Sequence, residues 1–132
     1  VTVVANGGYC PTPYLVERIE KKKLSHKKGH YARLEPGIFK VVKEGMFNVV
    51  NDNTGTGQNA KLKDVSLSGK TGTAQPGTKG ATHAWFIGFL PSEDPKFSFV
   101  VFLEHGGQGG ADAANISKLL GIYLKENGFL DP

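Results

Sequence analysis

Two stretches in the second half of the chain are apolar on both faces when read as strands. In His83–Leu90, Trp85, Ile87 and Phe89 alternate with Ala84, Phe86 and Gly88, and Lys96–Glu104 is apolar on both sides in the same way. A strand of this kind is covered above and below, so Lys96–Glu104 is expected in the interior of a sheet. Only Pro91–Pro95 separates the two, enough for a direct antiparallel return and too little for a crossover. Val65–Gln75 reads as a further strand, ended by Pro76-Gly77. Together they predict an antiparallel β-meander of about three strands.

Helical spacing flanks the meander. Ile38, Val42, Met46 and Val49 fall on one helical face, widened by Phe39 and Val50, with Lys40, Lys43, Glu44 and Asn48 opposite. Gly45 weakens this helix. A polar turn, Thr54-Gly55-Thr56-Gly57, follows it. After the last strand, Gly106–Gly110 reads as a flexible connector into a final amphipathic helix. That helix carries Ile116, Leu119, Leu120, Tyr123 and Leu124 and stops at Asn127-Gly128. The expected class is α+β, with one amphipathic helix before the meander and a C-terminal helix packed on the sheet. Val1–Ala5, broken by Asn6-Gly7-Gly8, reads as a strand or as a helix end capped by Asn-Gly. Pro13–Ile19 stays ambiguous between strand and helix.

Composition removes several classes of function. A chain of 132 residues, 39% hydrophobic and 21% charged, suits one domain or one large piece of a bigger one, not a disordered segment. Its 18 glycines are not periodic, which excludes a collagen-like fold. No apolar run approaches the ~20 residues of a membrane span. Val1 opens no signal peptide, and the missing initiator Met is expected to reflect processing or excision from a longer protein.

The net charge of +4 is concentrated in Lys21, Lys22, Lys23, Lys27 and Lys28. Without interleaved aromatics this run reads as a solvated loop, not a nucleic-acid surface. Cys10, the sole cysteine, cannot form an internal disulfide and has no neighbouring base to activate it. His26 and His30 have i, i+4 spacing, but Gly29 and the adjacent lysines argue against a metal site. No metal and no cofactor are expected.

The segment with the most chemistry is Ser68-Gly69-Lys70-Thr71-Gly72-Thr73-Ala74-Gln75. A phosphate loop would need glycine where Asp64 stands, and its lysine would have to open a helix, which Gly72, Thr73 and Pro76 oppose. A phosphate-loop nucleotidase is therefore rejected. The alternative places Lys-Thr-Gly-Thr on a strand beside an acyl-transfer cleft. Lys70 would supply a positive field, and the Thr71 and Thr73 hydroxyls would bind a carboxylate or carbonyl. Gly72 would let a substrate backbone lie against the strand, and a backbone N–H near Thr73 would serve an oxyanion hole. A plain strand with a turn-forming glycine fits these four residues equally well. The loop Gly106–Gly110 fails the dinucleotide fingerprint, because Asp112 falls where its last glycine is needed and no strand follows the helix.

Context decides. Ala5-Asn6-Gly7-Gly8 with Pro13 and Leu15-Val16, Glu44-Gly45-Met46 with Val49-Val50, Lys70-Thr71-Gly72-Thr73-Ala74-Gln75, His83–Phe89 with Pro91, and Glu104–Gly107 with Ala113-Ala114 follow one another in order. This series resembles the C-terminal part of the transpeptidase domain of the monofunctional, elongation-type (class B) penicillin-binding proteins. The resemblance covers nearly the whole chain, residues 1–132.

It implies a penicillin-binding/β-lactamase-like transpeptidase fold and a serine D,D-transpeptidase of peptidoglycan biosynthesis. Such an enzyme cross-links stem peptides ending in D-Ala-D-Ala and is acylated by β-lactams. By the same resemblance, Lys70, Thr71, Gly72 and Thr73 are substrate-binding residues. The implied location is the outer side of the cytoplasmic membrane, with an anchor in an N-terminal segment.

The family's other two motifs are not matched. There is no Ser-x-Asn, and the one Ser-x-x-Lys, Ser25-His26-Lys27-Lys28, lies in the cationic excursion and after the segment that the nucleophile should precede. Ser25 reads as a decoy. This chain is then expected to hold no catalytic nucleophile or general base, to be inactive alone, and to need the N-terminal part of the same protein as its partner. It should also expose apolar surface where that part docks. A non-catalytic module that binds cell-wall peptide or protein with the same half-fold is the alternative.

Overall fold

The structure, a computed structural model, describes residues 1–75, 77 and 80–131. A one-turn helix, α1 (Thr2–Ala5), resolves the ambiguity of the first residues in favour of a helix. Asn6 caps it and Gly7 follows with φ +62°, the left-handed conformation that closes helices. β1 (Tyr9–Cys10) then leads into the basic excursion. There β2 (Arg18–Ile19) and β3 (Lys22–Lys23) form a short exposed hairpin, and β4 (His30–Tyr31) returns antiparallel to β1. The lysine run is solvated, as its composition suggests.

Helix α2 (Pro36–Asn51) is opened by proline at a position where a missing N–H costs no hydrogen bond. Its buried face is Phe39, Met46 and Val50, whereas Ile38 and Val42 are exposed by 45% and 39%. The expected stripe is therefore rotated. The reason is tertiary: Phe39 occupies the space that a side chain on Gly8 would need, and Met46 and Val50 enter two separate clusters.

β5 (Ser68–Ala74), β6 (His83–Leu90) and β7 (Phe97–Leu103) form the expected antiparallel meander in the order β5-β6-β7. The turn after β6 is closed by the Lys96 N–H donating to the Leu90 carbonyl at 3.1 Å. Pro76, read as the end of the first strand, lies outside the described residues. Among the described residues β7 is an edge strand, contrary to the interior position expected. Its apolar alternation reports that both faces suit burial, and says nothing about which neighbour lies beside it.

Gly109–Ala113 forms a single wide helical turn that runs directly into α3 (Ala114–Glu126). One face of the sheet packs on α3 through Leu67, Ala84, Phe86, Leu90, Ala113, Ala114 and Leu124, with Val50 and Ala60 closing the cluster. The opposite face packs Phe89 on Ala5 and Met46. Full burial of a ring such as Phe86 or Phe89 contributes about 1.5–3 kcal/mol.

Candidate substrate-binding site

Successive side chains of a strand point to opposite faces, and β5 divides its motif accordingly. Lys70 pairs with Ile87 and Gly72 with Trp85, while Thr71 pairs with Phe86 and Thr73 with Ala84. Lys70 and Gly72 thus share the face of α1 and α2, and both threonines share the face of α3. The strand edge away from β6 is unpaired among the described residues. The four residues are brought together on one sheet edge, with the cation on one side and the hydroxyls on the other.

Lys70 lines a groove of about 490 Å³ whose other walls are Val1, Val4, Val42, Gly45, Met46, Val49 and Ile87. Apart from the ammonium, these walls are apolar. The Lys70 Nζ donates to the Thr71 carbonyl at 2.7 Å, which turns the ammonium back over the strand. Beside it lies Trp85, on a strand whose two apolar faces suggest cover on both sides. It is instead 37% exposed, its ring 4.3 Å from that of Phe102. With Val100 and Phe102, also exposed, it extends the apolar surface of this face.

On the other face both hydroxyls are already engaged. Thr71 Oγ1 lies 3.0 Å from Thr56 Oγ1, and Thr73 Oγ1 accepts the Gly109 N–H at 3.3 Å. The Gly106–Gly110 stretch is not the loose connector its composition suggests. Gly107 N–H donates to the Thr82 carbonyl at 2.9 Å, and the Thr82 hydroxyl donates to the Gly107 carbonyl at 2.7 Å. Gly109 lies so near the backbones of Gly72 and Trp85 that no side chain would fit there.

In the sequence Thr56 is marked only as part of a turn. Its signal was a threonine between two glycines, Gly55 and Gly57, both pressed against the end of α2. The turn is fixed by Asp52, whose Oδ1 accepts from the Thr54 hydroxyl and the Thr54 N–H, each at 2.7 Å. These bonds hold the Asp52 carboxyl below the usual carboxylate range, with a smaller contribution from Lys61.

Other candidates fall away on geometry. Lys70 sits inside a strand and does not open a helix, and Asp64 is engaged by Lys125 at 2.7 Å, so the phosphate-loop arrangement is absent from residues 64–71. Ser25 is exposed in irregular chain, with no helix start to hold it. His26 stacks on Tyr14 at 3.8 Å and His30 belongs to β4, so their helical spacing is not realised. Cys10 is a half-buried free thiol. Among the described residues no group of three His, Cys, Asp or Glu side chains is placed to hold a metal ion. No helix among them is long and apolar enough to cross a membrane.

The family model for the penicillin-binding protein transpeptidase domain matches residues 1–120. Peptidoglycan D,D-transpeptidase MrdA of Haemophilus influenzae is 32% identical over 95% of this chain, which spans 22% of that protein. The D,D-transpeptidase domain of a peptidoglycan glycosyltransferase from Eggerthella lenta superposes with a TM-score of 0.80 and 28% identity, over 98% of this chain and 31% of the other. The imipenem acyl-enzyme complex of penicillin-binding protein A from Mycobacterium tuberculosis superposes with a TM-score of 0.71 and 28% identity, over 92% of this chain and 28% of the other. The chain belongs to the penicillin-binding protein transpeptidase domain family. It spans about a fifth to a third of the length of these relatives.

Proposed function

We propose that residues 1–132 form the C-terminal portion of a serine D,D-transpeptidase domain and supply one wall of its cleft. The observation that carries this reading is the Lys70-Thr71-Gly72-Thr73 tract on a strand edge that is unpaired among the described residues, with an ammonium on one face and two hydroxyls on the other. An acyl donor ending in a carboxylate can lie along that edge as an added strand. Gly72 leaves clearance for its backbone, the Lys70 ammonium supplies positive potential, and the Thr71 and Thr73 hydroxyls donate to the anion. The donor in this reading is a stem peptide ending in D-Ala-D-Ala, and β-lactams occupy the same wall as its mimics.

The nucleophilic serine and its lysine base come from an upstream segment of the same protein. That segment covers the apolar face carrying Trp85, Val100, Phe102 and the groove beside Lys70. Without it the chain forms no acyl-enzyme, because the tract supplies an anchoring cation and hydroxyls but no activated nucleophilic serine. The protein acts in peptidoglycan cross-linking outside the cytoplasmic membrane, held there by an N-terminal anchor.

Labelling with a fluorescent penicillin tests the reading. Residues 1–132 alone should take no covalent label, and the longer polypeptide that includes the upstream segment should label stoichiometrically. Lys70→Ala in the longer form should label at least about tenfold more slowly, the loss of a charge-assisted contact. Stoichiometric label on Ser25 of the isolated chain would overturn the division of labour.

A further inference from the structure

The hydroxyl pair behind the strand has a direction that chemistry can assign. A carboxylate only accepts hydrogen bonds, and a threonine hydroxyl has a single proton to give. If Thr71 and Thr73 both donate to a substrate anion, each oxygen can only accept from the protein. Thr73 meets that condition through the Gly109 N–H, a donor with no alternative role. The neighbour that meets it for Thr71 is the Thr56 hydroxyl at 3.0 Å.

We infer that Thr56 is a positioning residue: its hydroxyl donates to Thr71 Oγ1 and thereby aims the Thr71 proton at the carboxylate of the acyl donor. The inference rests on the transpeptidase reading above. Thr56 is well held for this task. The Gly57 N–H donates to the Val49 carbonyl at 2.8 Å, and the Gly55 N–H to the Asp52 carbonyl at 3.1 Å. From the other side, a side chain on Gly110 would meet the Thr56 carbonyl at 2.6 Å, and Asn59 Nδ2 donates to the Gly110 carbonyl at 2.8 Å. The turn after α2 and the turn before α3 are thus clamped together around Thr56. Thr71 and Thr73 receive equivalent support, one from a side chain and one from the backbone.

The test is acylation of the full-length protein by a penicillin and by the methyl ester of the same penicillin, which lacks the carboxylate. Thr56→Val should lower the acylation efficiency for the acid by about three- to tenfold, the worth of one oriented hydrogen bond. The ester's rate should not change. Thr56→Ser should restore the acid's rate, and Thr56→Ala, which introduces no packing conflict, should behave as Thr56→Val does. In a Thr71→Val background, removing the Thr56 hydroxyl should cost nothing further. Equal losses for acid and ester, or additive losses in the double variant, would overturn the inference. If Thr71→Val and Thr73→Val both left acylation of the acid untouched, the reading of the site itself would fail.

Discussion

The two faces of β6 are built from the same kinds of residue and end in different states. Ala84 and Phe86 are fully buried under α3, while Trp85, one position away from each, is 37% exposed beside Phe102. On the α3 face the chain closes its own core and fastens two turns onto the motif strand. On the other face α1 and α2 pack around Phe89 and wall the groove at Lys70 and Ile87, while Trp85, Val100 and Phe102 remain exposed. Lys70 lies on the face that is partly uncovered, and the threonines lie on the face packed on α3, where Thr71 is half-buried and Thr73 stays exposed at the strand edge. In the proposed domain that difference separates the face to be completed by another segment from the face that keeps the strand in shape.

The largest expected effect breaks the closed side. Phe86→Ala should destabilise the folded chain by about 3–5 kcal/mol, the cost of emptying a packed core position, read as a shift in the urea midpoint. Trp85→Ala should cost far less in residues 1–132 alone, and approach the Phe86 value once the upstream segment is present. Equal costs in the isolated chain would erase the contrast between faces.

A smaller effect sharpens the open side. Val100→Lys with Phe102→Lys should reduce self-association of residues 1–132 in light scattering and leave the thermal midpoint nearly unchanged, because apolar surface drives association and these side chains add little to the core. A wild-type chain that is monomeric at high concentration would count against an uncovered docking face.

The smallest effect concerns the clamped turn. The Asp52 carboxyl titrates below its unfolded value, so its contribution is complete above the ordinary carboxylate pKa of about 3.9 and is lost as pH falls through the lowered one. The thermal midpoints of wild type and Asp52→Ala should therefore differ slightly at pH 6 and converge in acid. A gap that widened in acid would have the wrong sign.

Much of this molecule could be read from residue order. The alternation in His83–Leu90, the return at Pro91–Pro95 and the strand nature of Lys70–Thr73 follow from local spacing and turn chemistry, and the three strands form the expected antiparallel meander. The errors have a common origin. The buried stripe of α2, the edge position of β7, the exposure of Trp85 and the anchoring of Gly106–Gly110 all depend on residues far away in sequence. Ile38 and Val42 satisfy a helical stripe as well as Phe39 and Val50 do; the space over Gly8 takes Phe39, and the α3-side cluster takes Val50. Thr56 was hidden for the same reason, since its partner Thr71 is fifteen positions away.

Local periodicity and a motif determined the class of fold and the strand that carries the candidate tract Lys70–Thr73, because backbone geometry ties side-chain direction to position within a strand. Tertiary structure alone decided which face each of those residues shares with which neighbours. The burial of this tract and the hydrogen bonds of its threonines are settled by packing against segments fifteen and thirty-six positions away, beyond the reach of a local pattern.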